Sequence, residues 1–340
     1  MTLESAIRTS ILYFRARGAD FRRFIGHPKV YPFIVGGLGI ATILYVALIR
    51  VPLTFPVGVM VTIPEGSTAK EASKIFRDAR VVRSAWVLEK LIILKSAENK
   101  VAFGDYRFAR PISVLEIADR STTGRFELLS IRVTIPEGFT RYDIAEVFEK
   151  EEFERFDKEE FLRLTTEKEG FLFPDTYTFY SNANAAKVIS VLEANFWEKI
   201  ALLQSDIERF GRNLEDVVIM ASLLEREART TESRQIIAGI LWQRIKIGMP
   251  LQVDAAFNYV NGKNTFQLTK ADLKTDSPYN TYKYKGLPQG AIANPGLAAL
   301  KAAVTPITTR YLYYLSDYNG KLYYARDFTA HKRNKAKYLP

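Results

Sequence analysis

The 340-residue chain contains no cysteine and only two histidines, His27 and His331. The first absence excludes disulfides, a thiol nucleophile and a cysteine-ligated metal. The second leaves too few imidazoles for a multi-histidine zinc site. Negative charge is in short supply: 48 lysines and arginines face 38 aspartates and glutamates, for a net charge of +10 and a pI near 9.5. Such a balance favours an anionic neighbourhood, which nucleic acid, an anionic membrane surface or an acidic polymer would each supply. The clustered basic and aromatic pattern of nucleic-acid modules is missing, so no nucleic-acid partner is expected. A hydrophobic fraction of 47% with 25% charged residues is an ordinary globular composition, with ample material for a core and length for two or three domains.

One long uncharged run stands out, the 20 residues Val30 to Ile49 between Lys29 and Arg50. As a helix rising about 1.5 Å per residue it would span a hydrocarbon core of about 30 Å. Six basic side chains (Arg8, Arg15, Arg17, Arg22, Arg23, Lys29) precede it against Glu4 and Asp20. By the positive-inside rule residues 1–29 are cytoplasmic, residues 30–50 form a single-pass helix in the plasma membrane, and the remainder is extracytoplasmic. The run is too long and too late for a usual cleaved signal and reads as a retained anchor.

After this run a hexapeptide recurs: Val61-Thr-Ile-Pro-Glu-Gly66 and Val133-Thr-Ile-Pro-Glu-Gly138. Each copy reads as a short strand, a turn and a helix, the helical patterns lying at Ala69 to Phe76 and Tyr142 to Phe148. A second helix over Ser84 to Lys95 and a strand at Tyr106 to Phe108 complete a βααβ module. Helices dominate from Lys187 to about Ile247. Residues Gln252 to Gly296, rich in Asn, Gly, Pro and Tyr, read as a long ordered loop of the kind that carries sites. The end reads as a hairpin turning at Asp317-Tyr-Asn-Gly320, its tyrosines expected to pack rather than to stack on sugars.

The chemistry is sought at the end of the apolar run Val217 to Leu224, a helix capped by Asn213 with Asp216 three residues on. Glu225 follows it and lies over Ser222, Ala221 and Val218, which are mostly small. Glu227 lies over Leu224, Leu223 and Met220 and reads as the side packed on the core. Glu225 is therefore expected to have room for a substrate and, in an apolar setting, a raised pKa fit for a general acid. The alternative is an i, i+4 pair with Arg229, which would keep it ionised.

The chain from the apolar run onward resembles the bacterial endolytic murein transglycosylases, the YceG-like membrane-anchored enzymes. Four blocks carry the match: EGFLFPDTYTF (169–179), ASLLEREA (221–228), GMPLQVD (248–254) and SPYNTYKYKGLPQGAIANPG (277–296). The chain departs from the usual pattern at Gln243, Ala255-Ala256, Gln289 and Lys332. The resemblance implies an α+β protein with one N-terminal transmembrane helix, a small LysM-like module over 55–131 and a larger catalytic domain over 132–340. It implies a lyase acting on peptidoglycan, with Glu225 as the lone acid and base. That residue would protonate the oxygen joining N-acetylmuramic acid to N-acetylglucosamine. It would then take the proton from the muramyl C6 hydroxyl, leaving a 1,6-anhydro end with no metal or organic cofactor. Gln252, Asp254, Ser277, Tyr279, Asn280, Thr281 and Tyr282 are the candidate substrate-binding residues, and Glu227, Asp175 and Tyr177 the candidate supports. Expected partners are glycan strands, the plasma membrane and, as a further candidate, peptidoglycan synthases. The competing reading is a non-catalytic, membrane-anchored peptidoglycan-binding scaffold.

Overall fold

A computed structural model describes residues 31–95, 101–151, 153–263, 267–317 and 319–339. The expected cytoplasmic segment, residues 1–29, lies outside the described residues. The chain forms two compact units, residues 1–128 and 129–340.

The described part of the first unit opens with α1 (Tyr31–Leu44), where Phe33, Val35, Leu38, Ile40, Ile43 and Leu44 are exposed and which runs directly into a five-residue π turn, Tyr45–Ile49. Among the described residues no helix is long and apolar enough to cross a membrane. Beyond it come β1 (Met60–Ile63), α2 (Ala69–Asp78), α3 (Ala85–Lys95), β2 (Gly104–Arg107) and α4 (Val114–Thr123). The expected βααβ order is present, with α4 added after it. β1 and β2 pair antiparallel, Val61 opposite Tyr106, and Phe76, Leu88, Ile92, Tyr106, Phe108 and Ile117 fill the space under the helices.

The second unit contains β3 (Ser130–Thr134), α5 (Arg141–Lys150), α6 (Lys158–Leu164), β4 (Thr176–Tyr180), α7 (Ala185–Phe210), α8 (Leu214–Glu227), α9 (Thr231–Lys246), α10 (Ala255–Asn261), α11 (Leu297–Val304), β5 (Tyr313–Ser316), β6 (Leu322–Ala325) and α12 (Phe328–Tyr338). β3 pairs antiparallel with β4, and β5 with β6. The repeated hexapeptide is the same local device in both units. Its isoleucine, Ile63 or Ile135, is buried, and its glycine takes a positive φ of 77° or 80° that a side chain would resist. A capping box then starts the following helix, Thr68 with Glu71 in one copy and Thr140 with Asp143 in the other.

α8 runs through the middle of the larger core. Asn213 Oδ1 accepts the Asp216 amide at 2.7 Å and starts it. The extended backbone of Ala228 (φ −147°, ψ 147°) stops it directly after Glu227. Every residue from Val217 to Leu224 is buried, packed against α9, α11 and the 291–296 segment. The terminal hairpin turns where expected: the Asp317 carboxylate accepts the amides of Asn319 and Lys321 at 2.9 Å each, and Gly320 has φ 78°.

Candidate active site

Two glutamates two residues apart on a helix point about 200° apart around its axis, so Glu225 and Glu227 meet different surroundings. The expectation that Glu225 borders open space and Glu227 the core is reversed. Val218, Ala221 and Ser222 are small because another backbone packs against them. Ser222 Oγ accepts the Ile292 amide at 3.1 Å, and a Cβ placed on Gly170 would stand 2.6 Å from Val218 Cγ1. The same segment reaches Glu225, whose Oε2 accepts the Gly296 amide at 3.0 Å. Its Oε1 takes the Arg234 guanidinium, not Arg229. With side chains 5% and 9% exposed, Glu225 and Arg234 form a buried ion pair. Burial holds the Glu225 carboxyl above its ordinary pKa and the Glu137 charge adds to the rise, against the pull of the Gly296 amide, Arg234 and Arg226. Each oxygen thus meets a group that only donates, and the two bonds tie the side chain to α9 and to the 291–296 segment.

Glu227, the last residue of α8, faces a cavity of about 530 Å³. Its walls come from the end of α8, the 252–254 stretch before α10, the β5–β6 hairpin and α12. Protein surrounds Glu227, yet the residue keeps accessible surface on the cavity side. Burial pushes its pKa up to about 7 and the Asp254 charge pushes the same way, against the pull of the Tyr314 hydroxyl, the Ala255 amide and Arg244. Tyr314 Oη lies 3.0 Å from Oε2. Unlike a guanidinium, that hydroxyl can turn to donate or accept as Glu227 loses or gains its proton. Asp254 accepts the Tyr282 hydroxyl at 2.5 Å.

The cavity floor is held by buried donors. Arg244, 4% exposed, donates Nε to Leu312 O at 2.7 Å and Nη1 to Leu251 O at 2.5 Å, clamping α9 to the stretch before Asp254 and to the segment that leads into β5. Thr281 accepts the Val253 amide on Oγ1 at 2.9 Å and the Gln252 amide on its carbonyl at 3.0 Å. Between them Gln252 is held at φ 52°, a left-handed conformation that costs a non-glycine residue about 1 kcal/mol or more. Its exposed side chain lines the cavity.

The residues expected from sequence thus divide. Gln252, Asp254, Tyr282 and Glu227 converge on one cavity. Thr281 and Asn280 are buried behind it, where Asn280 donates to the carbonyls of Leu273 and Thr275 and so fastens the loop. Ser277 accepts the Tyr279 amide in a turn. Tyr279 lines a separate cleft of about 380 Å³ with Tyr259, Arg141 and Glu169, the last buried and pushed up to about 7 by that burial. Asp175 and Tyr177 share Asn195 on α7, and Tyr177 Oη donates to Phe173 O at 2.6 Å, so both brace β4 instead of entering either cavity. Sequence reasoning missed Arg244, Tyr313, Tyr314 and His331. The signals were a charge set within the otherwise uncharged stretch 235–245 of α9, a run of tyrosines, and one of two histidines in the whole chain.

The YceG-like family matches residues 61–337. The chain is 29% identical over 307 residues to a protein of Bacillus subtilis named endolytic murein transglycosylase, covering 83% of this chain and 85% of that one. It is 28% identical over 322 residues to a Streptococcus pneumoniae protein of the same name, of whose length the match spans 58%. Among solved structures, a putative yceG-like protein from Listeria monocytogenes superposes with a TM-score of 0.53 at 26% identity, over 81% of this chain and 98% of that one.

Proposed function

The chain belongs to the YceG-like family, and from that premise we propose that it is an endolytic murein transglycosylase whose acid and base is Glu227. The activity follows the relatives that match most of the chain. The observation that carries the residue assignment is that Glu227 lines a cavity of about 530 Å³ with its pKa pushed up to about 7, whereas the Glu225 carboxylate is engaged by Arg234 and the Gly296 amide.

A group poised near neutral pH is protonated often enough to give its proton and basic enough to retrieve one. Protonated Glu227 would donate to the glycosidic oxygen between N-acetylmuramic acid and N-acetylglucosamine as the C1–O bond breaks. Positive charge then develops on the muramyl ring, and the nearby Asp254 carboxylate opposes it electrostatically. The Glu227 carboxylate next takes the proton of the C6 hydroxyl, whose oxygen closes on C1. The proton count balances within one side chain and no water is added, so the product carries a 1,6-anhydro end. Tyr314 tracks the changing charge by turning its hydroxyl.

The setting is part of the same proposal. The charge-free stretch 30–49, with basic residues before it, supports a plasma-membrane anchor that holds the catalytic unit outside the cytoplasm. The βααβ arrangement of the first unit supports a LysM-like, glycan-gripping role. Extraction of membranes at alkaline pH would release the protein if the anchor reading fails.

The decisive comparison is Glu227→Gln against Glu225→Gln, assayed on purified glycan strands with mass spectrometry of the ends. Glu227→Gln should lose cleavage by on the order of 10²–10⁴, while Glu225→Gln retains it per folded molecule. Anhydro ends from a Glu227→Gln protein at the parent rate, or loss confined to Glu225→Gln, would overturn the assignment.

A further inference from the structure

α12 poses a puzzle of packing, because none of its residues is buried. The helix is tied to the hairpin by rings instead: Tyr338 stacks on Tyr323 with centroids 3.7 Å apart, and His331 on Tyr313 at 5.2 Å and 26°. Tyr313 also carries the Arg244 guanidinium 5.2 Å from its centroid. The aromatic surface left over belongs to Phe328, 57% exposed, with the His331 ring 6.3 Å away. Phe328 and His331 both line the Glu227 cavity.

His331 has a second peculiarity. Its Nδ1 is shielded from solvent and has no hydrogen-bond partner. A buried polar atom in that condition destabilises the fold unless a bound group completes it. Burial, Lys335 and Arg244 hold the imidazole below its ordinary pKa, so the neutral ring, able to accept as well as donate, prevails.

We propose that Phe328 and His331 form a saccharide subsite of the cavity, Phe328 lying against a pyranose face and His331 hydrogen-bonding a hydroxyl or acetamido group of an N-acetylated sugar. An exposed ring beside a directional polar atom is the pairing a pyranose needs, since its faces are apolar and its rim is hydroxylated. The 5.3 Å contact of the exposed Lys332 ammonium with Phe328 is the kind a flexible side chain gives up when a ligand arrives. The inference rests on the Glu227 reading for the identity of the polymer. The hairpin tyrosines, expected to pack the strands, also reach the cavity: Tyr313 and Tyr314 line it, and Tyr313 backs the His331 ring.

Calorimetric titration of a GlcNAc–MurNAc tetrasaccharide into full-length Glu227→Gln protein tests it. Phe328→Ala and His331→Phe, added singly, should each weaken binding about fivefold or more. His331→Asn, whose amide oxygen approximates Nδ1, should recover most of the loss. Because His331→Phe removes the orphaned nitrogen, its unfolding midpoint should equal or exceed the parent's. Unchanged affinity in both variants, or a His331→Phe protein less stable than its parent, would overturn the subsite. Residual cleavage by Glu227→Gln would count against the acid assignment alone, and the affinity ranking would then be read from KM in the cleaving protein.

Discussion

Glu225 and Glu227 differ less in chemistry than in what the chain brings beside them. Removing one partner of a buried ion pair strands the other, which costs about 3–5 kcal/mol in well-enclosed cases. A glutamine at 225 still bonds the Gly296 amide but leaves the Arg234 guanidinium uncompensated. Glu225→Gln should therefore lower the urea midpoint by the equivalent of ~2–4 kcal/mol while leaving turnover per folded molecule near the parent value. A midpoint unchanged within error would mean the pair is solvated and Glu225 is free for chemistry. At this scale the sequence was half legible. The block ASLLEREA marked the helix end that carries both glutamates, but small neighbours signify either an open cleft or a close-packed backbone, and only the position of Gly170 and Ile292 decides between them.

Segments distant in sequence build the site, and this is why its walls were harder to read than its elements. The duplicated strand, turn and capped helix, the α8 cap and the Asp317–Gly320 hairpin are all written in local spacing and occur where local spacing puts them. Tyr314 meets Glu227 across 87 residues and Tyr282 meets Asp254 across 28. No periodicity encodes such meetings. One residue that makes the assembly possible is Asn294, fully buried. Its Oδ1 accepts the amides of Gly170 and Leu172 at 2.9 Å each, and its Nδ2 donates to Phe139 O at 3.0 Å and Glu169 Oε1 at 2.8 Å. It thereby joins the turn after β3, the 169–172 segment and the loop that caps Glu225. Asn294→Ala leaves several buried partners unsatisfied at about 1–3 kcal/mol apiece, so a loss of ~3 kcal/mol or more is expected in denaturant titration. Asn294→Asp, which keeps the acceptor but sets a charge beside Glu169, should not rescue it. Wild-type stability in Asn294→Ala would show that water replaces the side chain and that the three segments hold without it.

At the scale of the whole molecule the buried glutamates give stability an unusual pH dependence. Glu169 and Glu227 are each held near 7 against an ordinary 4.5, chiefly by burial. Between those values the folded protein binds more protons than the unfolded chain, so the stability they lend is complete below about 4.5 and is lost as pH rises through 7. Each unit of pKa is worth about 1.4 kcal/mol. Because Glu227 is partly open to its cavity, the two together should remove roughly 3–5 kcal/mol between pH 5 and pH 8. His331, held low, works in the opposite sense, gaining stability as pH rises to its ordinary value, and trims the slope at the acidic end. Asp272, held at about 2, loses its contribution only below about 4 and lies outside the window. Both glutamates belong to the unit of residues 129–340, so only its transition should move, followed by Trp197 and Trp242 after Trp86 in the other unit is replaced by phenylalanine. The urea midpoint of that transition should be higher at pH 5 than at pH 8. Glu169→Gln and Glu227→Gln should each flatten the difference in part and together remove most of it, the remainder coming from Glu225, which burial also holds above its ordinary value. Cleavage should fall across the same interval in the parent as Glu227 gives up its proton, and Glu169→Gln should leave that pH profile of cleavage in place. A midpoint that rises from pH 5 to pH 8, or a cleavage profile that follows Glu169 instead, would mean that Glu227 is ionised throughout and that the proton for the glycosidic oxygen comes from elsewhere.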